Sequence, residues 1–423
     1  MSISLDLHAT TPTAAEVIEA MAPFWRDIPF NAHSAHSGGA TAEAAVAQAR
    51  AAVADLIGAA PQEIVFTSGA TESNNLAVLG LAAAARRAMP TRNRILTSAI
   101  EHKCVLETAR HLAANGFDHQ VIPVLPSGQV DLNELSGMLN ERVLLVAVMA
   151  ANNEIGTVQP LSDVGRLCEA VGAHFHVDAA QAGGRIPFDV IEAGCDTASL
   201  SAHKMYGPKG IGALYLSAVA PVRPEPLFFG GGQEQALRPG TLPVPLIAGF
   251  GKAAELAVRN IAEAPRLAAL ADLFIDGLAR RGVDVQLNGD RADRLPGSLN
   301  FHVPGADADD VVQRLGNSLH LSTGSACQSG ELQGSYVLRA IGLPDHLVSA
   351  SFRLCFGVEH RSEDALEAAA RLAETLIACE NRAGRSVQRR EITHGDVHIG
   401  GVQATVRGSR NLSDQSVMAE KGV

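Results

Sequence analysis

The chain has 423 residues, 47% hydrophobic and 19% charged, enough for two or three packed domains with substantial cores. Its formal net charge of −11 argues against broad contact with nucleic acid or an anionic membrane surface. Apolar runs such as Leu76 to Ala85 are too short to span a bilayer, and Met1 to Asp6 has no basic region leading into an apolar core, so a cytoplasmic protein is expected.

In chain order, short β-rich segments alternate with Ala/Leu-rich helical patterns. Ile64–Phe66 is followed by Glu72–Ala88, Arg94–Thr97 by Val105–Asn115, and Val143–Val148 by Leu161–Val171; His174–Val177 and Thr197–Leu200 read as further strands. The alternation predicts a mostly parallel sheet wrapped by helices, with ligands beyond the carboxyl ends of its strands. After Gly240 the pattern changes. Two long helices are expected at Leu246–Ile261 and Arg266–Arg281, then strands near Ser298–Val303 and Ser351–Phe356 around a helix at Asp307–Gly316, and a last helix from Ser362 to about Ala383. The resulting division is a large domain, 13–246, and a smaller one formed by 1–12 and 247–383. The extension 384–423 is rich in Gly, Ser, Gln and Arg and reads as flexible or only locally docked, with a weak β-like stretch at Val397–Val406; from Asn381 onward it is slightly basic.

Six cysteines (Cys104, Cys168, Cys195, Cys327, Cys355 and Cys379) are scattered without a C-x-x-C pair, which suggests neither a disulfide framework nor a metal site. Cys327 stands apart from the others. It lies within Ser322-Thr-Gly-Ser-Ala-Cys-Gln-Ser-Gly330, where small residues on both sides predict an exposed loop and suit a reactive nucleophile.

The chemistry concentrates around Ser201-Ala-His-Lys204, with Asp178-Ala-Ala-Gln181 upstream. A lysine amine behind a carboxylate at a strand end is the pairing that pyridoxal 5'-phosphate needs. The amine holds the cofactor's aldehyde carbon, and the carboxylate keeps the pyridine nitrogen protonated. Lys209 competes for the role, but Ser201 and His203 place a hydroxyl and an imidazole beside Lys204. Thr67-Ser-Gly-Ala-Thr71 opens a helix and leaves N–H groups for a phosphate, although the same residues would make an ordinary N-cap. His102, in the loop after Arg94–Thr97, could stack on a pyridine ring and act as a catalytic acid/base, or be a plain loop histidine. Asn153 and Gln181 offer amides to the phenolic oxygen, with turn chemistry the alternative for Asn153. Arg353, a cation inside an apolar strand, needs an anion, either a substrate carboxylate or a structural salt-bridge partner.

Together these runs resemble the cysteine desulfurases of the NifS/IscS type, class-V aminotransferase-like enzymes of pyridoxal phosphate fold type I. The likeness spans about Leu5 to Leu376 and includes Ala9-Thr-Thr-Pro12, Phe66 to Asn75, Glu101-His-Lys103, Asn152 to Gly156, Gly230 to Glu234, Arg238 to Thr241 and Gly324 to Cys327. The resemblance implies an α/β large domain around a mostly parallel seven-stranded sheet plus a smaller α+β domain. It implies that Lys204 is the cofactor lysine and that Cys327 receives sulfur from L-cysteine as a persulfide for an acceptor protein, L-alanine being released. It also implies phosphate contacts from Ala70, Thr71, Ser201 and His203, and a homodimer whose partner subunit supplies Thr241. Departures from the family pattern at Asn31 to His36, Ser335-Tyr336 and Gly357 to Arg361 leave substrate preference open. Selenocysteine lyase, releasing selenide from L-selenocysteine, is the nearest alternative, and a non-catalytic scaffold or regulator that retains the fold is the alternative from another class. No direct nucleic-acid partner, membrane or metal is expected.

Overall fold

The computed structural model describes residues 2–323 and 334–383. The segment 324–333, with Cys327, and the tail 384–423 lie outside the described residues.

After a short strand β1 (Ile3–Ser4) come two helices that the sequence pattern does not announce, α1 (Ala15–Arg26) and α2 (Ser37–Leu56). The buried side of α2 is made of Gly39, Ala42, Val46, Ala49 and Val53, spaced three or four apart but too small to stand out as an apolar stripe.

Seven strands follow: β2 (Ile64–Thr67), β3 (Arg94–Ser98), β4 (Asp118–Ile122), β5 (Val143–Ala147), β6 (His174–Asp178), β7 (Thr197–Ser201) and β8 (Gly212–Leu216). Their connections carry α3 (Ala70–Ala88), α4 (Lys103–Ala114), α5 (Leu132–Met138), α6 (Leu161–Val171) and α7 (Val190–Ala193). The strands make one sheet in the order β2-β8-β7-β6-β5-β3-β4. Only β8 runs against the rest. Every residue of β2, β5, β6, β7 and β8 is buried, as expected where helices cover both faces. The unpredicted β4 is the half-exposed edge and begins Asp118-His119-Gln120, so it lacks an apolar run. β8 begins on a glycine because a Cβ at Gly212 would stand 2.4 Å from the Leu200 carbonyl oxygen and 2.6 Å from Gly69 Cα.

The next helix, α8 (Val244–Asn260), lies against α1 and α2 and adds Ile247, Phe250 and Ala254 to the core under the seven-stranded sheet. Its fit is close: a Cβ at Gly251 would meet Ala49 Cα at 2.5 Å. Beyond α9 (Ala264–Ala279) the chain builds a separate four-stranded antiparallel sheet in the order β12-β13-β10-β9 from β9 (Gln286–Leu287), β10 (Ser298–His302), β12 (Ser322–Thr323) and β13 (Ser351–Cys355). α10 (Ala308–Leu315) and β11 (Leu319–His320) precede β12; α11 (Tyr336–Ala340) and α12 (Asp345–Val348) precede β13; α13 (Ser362–Ala383) follows it. Phe274, Phe301, Phe352 and Phe356 pack ring against ring in this second core. The N-terminus is stitched to it, since β1 pairs in parallel with β11 and Leu5 lies in the same core.

Candidate active site

The six parallel strands all end on the same edge of the large sheet, and the loops leaving β2, β3, β5, β6 and β7 surround a cleft of about 620 Å³. Ala70, Thr71, His102, Asn153, Asp178, Gln181, Ser201, His203, Lys204 and Arg353 all line it. Of the remaining expected residues, Thr241 is exposed and does not line this cleft, and Cys327 lies outside the described residues.

Asp178, at the last position of β6, is buried with both carboxylate oxygens engaged. Oδ2 accepts from Asn74 Nδ2 at 2.8 Å, and Oδ1 from Ser199 Oγ at 3.1 Å and the Ala180 N–H at 3.0 Å. Three donors thus converge on one carboxylate and fix its orientation. Asn74 Oδ1 is in turn 2.8 Å from His176 Nε2, whose ring continues through Thr197 Oγ1 to His174. Burial holds both imidazoles far below their ordinary range, to about 4 for His176 and about 3 for His174, so this chain of contacts beneath the cleft is uncharged at neutral pH.

α3 begins at the same cleft. Its N-cap is Gly69, with φ of +152°, and no side chain caps the helix, so the first-turn N–H groups are left for a ligand. A Cβ at Gly69 would meet nothing within 4 Å, so the N-cap itself faces open space. Ser201 and His203 border the same cleft, and burial together with Lys204 and Lys209 holds His203 near 4, hence neutral.

Lys204 follows β7 in a 3₁₀ turn gripped by the N-terminal segment. Thr11 Oγ1 donates to the His203 carbonyl at 3.0 Å, and Thr10 Oγ1 is 3.1 Å from His203 Nδ1. Lys204 Nζ donates to the His8 carbonyl and, at 2.9 Å, to the Ala9 carbonyl. The nearby Gln181 Nε2 also donates to the His8 carbonyl, at 3.0 Å, while its Oε1 lies 3.3 Å from His8 Nδ1. Sequence reasoning passed over His8 and Asn74. The adjacent polar residues Ser73 and Asn74, just ahead of the apolar run that starts at Leu76, were the available signal for Asn74; His8 offered none, because its partners Gln181 and Ser298 lie 173 and 290 residues away along the chain.

Arg353 has the structural salt-bridge partner that its sequence position called for, and it also reaches the cleft. Nη2 donates to Asp6 Oδ1 at 2.8 Å and to Ser322 Oγ at 3.1 Å, Nη1 to the Asn153 carbonyl at 3.3 Å, and the guanidinium borders the cleft. The turn at Asn153 is made by its neighbour: Asn152 Oδ1 accepts from the N–H groups of Glu154 and Ile155, leaving Asn153 at the cleft wall. His102 is the N-cap of α4, Nδ1 accepting from the Cys104 N–H at 3.2 Å, and burial lowers its pKa despite the pull of Asp178.

Residues 3–365 match the aminotransferase class-V family. The chain belongs to that family. Class-V aminotransferases are pyridoxal 5'-phosphate enzymes, and the mostly parallel sheet is that of fold type I. Among curated relatives, the cysteine desulfurase IscS of Rickettsia massiliae (strain Mtu5) is 45% identical over 359 residues, covering 84% of this chain and 87% of that protein; IscS of Rickettsia bellii (strain OSU 85-389) is 44% identical over the same span. Among solved structures, a NifS-like protein aligns with a TM-score of 0.83 at 35% identity, covering 89% of this chain and all of that one. SspA in complex with cysteine aligns at 0.74 and 35% identity, with coverage of 84% and 99%, and DndA from Streptomyces lividans at 0.70 and 37%, with coverage of 82% and 98%. The cleft fits the family's cofactor on its own evidence. An open, uncapped helix N-terminus suits the phosphate, a triply hydrogen-bonded buried carboxylate suits a protonated ring nitrogen, and an amine lies in the same cleft.

Proposed function

We propose that this chain is a cysteine desulfurase, which takes the sulfur of L-cysteine onto Cys327 as a persulfide, releases L-alanine and passes the sulfur to an acceptor protein. The observation that carries this reading is the convergence of Lys204, Asp178 and the open N-terminus of α3 on one cleft.

Bound pyridoxal 5'-phosphate supplies an electron sink beside the substrate's amino group. Lys204 holds the cofactor and moves the Cα proton. Asp178 would hold the proton of the ring nitrogen, and the Asn74 and Ser199 donors fix the orientation of its carboxylate for that task. His102 would cover the ring, Gln181 and Asn153 would offer amides to the phenolic oxygen, and the N–H groups of Ala70 and Thr71 would hold the phosphate with Ser201 and His203. Arg353 pairs with the substrate carboxylate, anchored from behind by Asp6. The Cys327 thiolate forms the new S–S bond; the broken C–S bond leaves its electron pair on the substrate carbon, which is protonated to the methyl group of alanine.

The same reading includes a homodimer in which the partner contributes its own Thr241, and a cytoplasmic location without nucleic-acid or membrane partners. No described helix is long and apolar enough to cross a membrane. It also includes two domains, with the boundary moved from 247 to the end of α8, because α8 packs in the larger core.

The test is alanine, sulfide and selenide release from L-cysteine and L-selenocysteine by the purified protein, with and without a reductant. Cysteine should yield alanine and sulfide, and Cys327→Ser should abolish this while visible cofactor absorbance persists. Selenide release with no turnover of cysteine would transfer the assignment to selenocysteine lyase. A colourless protein that takes up no pyridoxal 5'-phosphate would leave a scaffold.

A further inference from the structure

His102 Nδ1, which accepts the Cys104 backbone N–H, also lies 3.0 Å from Cys104 Sγ. An imidazole nitrogen already accepting one hydrogen bond offers only its lone pair to a second neighbour, so a favourable contact requires Cys104 to be the donor. Burial pushes this thiol up to about 12, which keeps its proton in place at neutral pH. On its other side the sulfur accepts from Asn74 Nδ2 at 3.1 Å, and the same amide donates to Asp178 Oδ2. The amide is held in this orientation by His176 at Oδ1, and Thr71 also contacts the thiol. Cys104 thus joins the hydrogen-bond network of Asp178 to the imidazole that borders the same cleft.

We propose that Cys104 is a positioning residue for His102, its thiol bridging Asn74 and the imidazole so that the ring is held at a fixed angle over the cleft as the neutral Nε2–H tautomer. The proposal rests on the reading of His102 as the ring that covers the cofactor, and it assigns Cys104 a role that packing alone would not require. Alanine would keep the helix, but it can neither donate to Nδ1 nor accept from Asn74.

The sign of the effect follows from the groups that face His102. Asp178 raises its pKa, whereas Lys204, Lys103 and the surrounding walls lower it; the adjacent Glu101 is itself raised to about 8 and carries little charge at neutral pH. An S–H donor to Nδ1 stabilises only the form with that nitrogen unprotonated, so its loss raises the pKa of His102.

The experiment uses the full chain labelled with ¹⁵N-histidine, with and without pyridoxal 5'-phosphate, in wild type, Cys104→Ala and Cys104→Ser, with His102→Gln to assign the signal. Long-range ¹H–¹⁵N spectra read tautomer and titration midpoint. The wild type should show the Nε2–H tautomer, Cys104→Ala should raise the midpoint by ~0.5–1 unit, and Cys104→Ser, which keeps a donor, should return it toward the wild-type value. The acid limb of the desulfurase pH profile should move with the midpoint while KM stays within ~2-fold. An Nδ1–H tautomer in the wild type, an unchanged midpoint in Cys104→Ala, or a serine variant no closer to wild type than alanine would overturn the bridge. The wild-type spectrum decides even if the alanine variant does not fold. Because the tautomer and midpoint are read without turnover, they stand whether or not the desulfurase assignment holds.

Discussion

Arg353 and Ser322 face each other across the β12–β13 pair, and Arg353 Nη2 donates to Ser322 Oγ at 3.1 Å while Ser322 Oγ donates to Asp6 Oδ1 at 2.7 Å. The strand that leads toward residue 324 is thereby tied to the arginine at the cleft and to the N-terminal segment that grips the Lys204 turn. Three stretches far apart in sequence meet at one guanidinium.

Arg353→Lys keeps the charge but loses the planar fork. If Arg353 holds the substrate carboxylate, KM for L-cysteine should rise ~10- to 100-fold with a smaller change in kcat. Asp6→Asn separates this role from the structural one, since it removes the salt bridge while leaving the guanidinium in place. That variant should lower the urea midpoint and affect KM less than Arg353→Lys does. Equal KM effects in the two would mean that Arg353 acts on the substrate only through its placement by Asp6.

Gly69→Ala tests the phosphate end of the cleft. A methyl group there meets no atom, so its cost arises from a backbone angle of +152° that side-chain-bearing residues rarely adopt, ~1–3 kcal/mol. The strain falls on the loop whose N–H groups are to receive the phosphate. Cofactor affinity should therefore drop ~10-fold or more, measured by titrating the visible absorbance, while the far-ultraviolet spectrum stays native. Gly212→Ala should instead lower stability by ~1–3 kcal/mol in urea unfolding, because its methyl group would collide with the backbone at Leu200 and Gly69, neither of which is a flexible side-chain end.

Much of this cleft was legible in the sequence because parallel strands present all their exits on one edge. A motif that directly follows a predicted strand, as Asp178 or Ser201 to Lys204 does, is placed by that rule alone. What the sequence withheld came from contacts across the chain. His8 meets Gln181 and Ser298 across 173 and 290 residues of chain, and Asn74 reaches Asp178 from near the start of α3 across 104. The strand β8 was missed because Gly-Ala-Leu-Tyr-Leu has no alternation to betray it, being buried on both faces. The placement of α8 illustrates a different limit. Its apolar stripe predicted a helix correctly, but only the close approach of Gly251 to Ala49 reveals which core it joins.

Asp178→Asn should leave the cofactor bound and lower kcat by at least ~10²-fold, since a neutral amide cannot hold the ring-nitrogen proton as a carboxylate does. The replacement also sets a donor against the Asn74 amide if the side chain keeps its orientation, so visible absorbance under saturating cofactor is the control for retained binding. A variant that turns over cysteine at the wild-type rate would remove Asp178 from the mechanism.

The buried acids and bases predict opposite slopes of stability with pH. His174 and His176 are neutral when folded, with pKa values of about 3 and 4 against an ordinary 6.5. The unfolded chain therefore binds more protons below 6.5, and their contribution, full above that value, is lost as pH falls from 6.5 toward 4. Glu101 behaves in the reverse sense: burial beside Asp178 raises its carboxyl to about 8, so its contribution is full below about 4.5 and is lost as pH rises toward 8. Its Oε1 is satisfied by Ser98 Oγ and the Met149 N–H, but Oε2 is buried without a hydrogen-bond partner among the described residues, which explains why charging it is costly. Urea unfolding at pH 5, 6.5 and 8 should give lower stability at pH 5 than at 6.5, and Glu101→Gln should flatten the decline between 6.5 and 8 and steepen the rise from 5 to 6.5, where the loss from Glu101 opposes the two histidines. An identical loss from 6.5 to 8 in the variant would show that Glu101 is already ionised in the native protein.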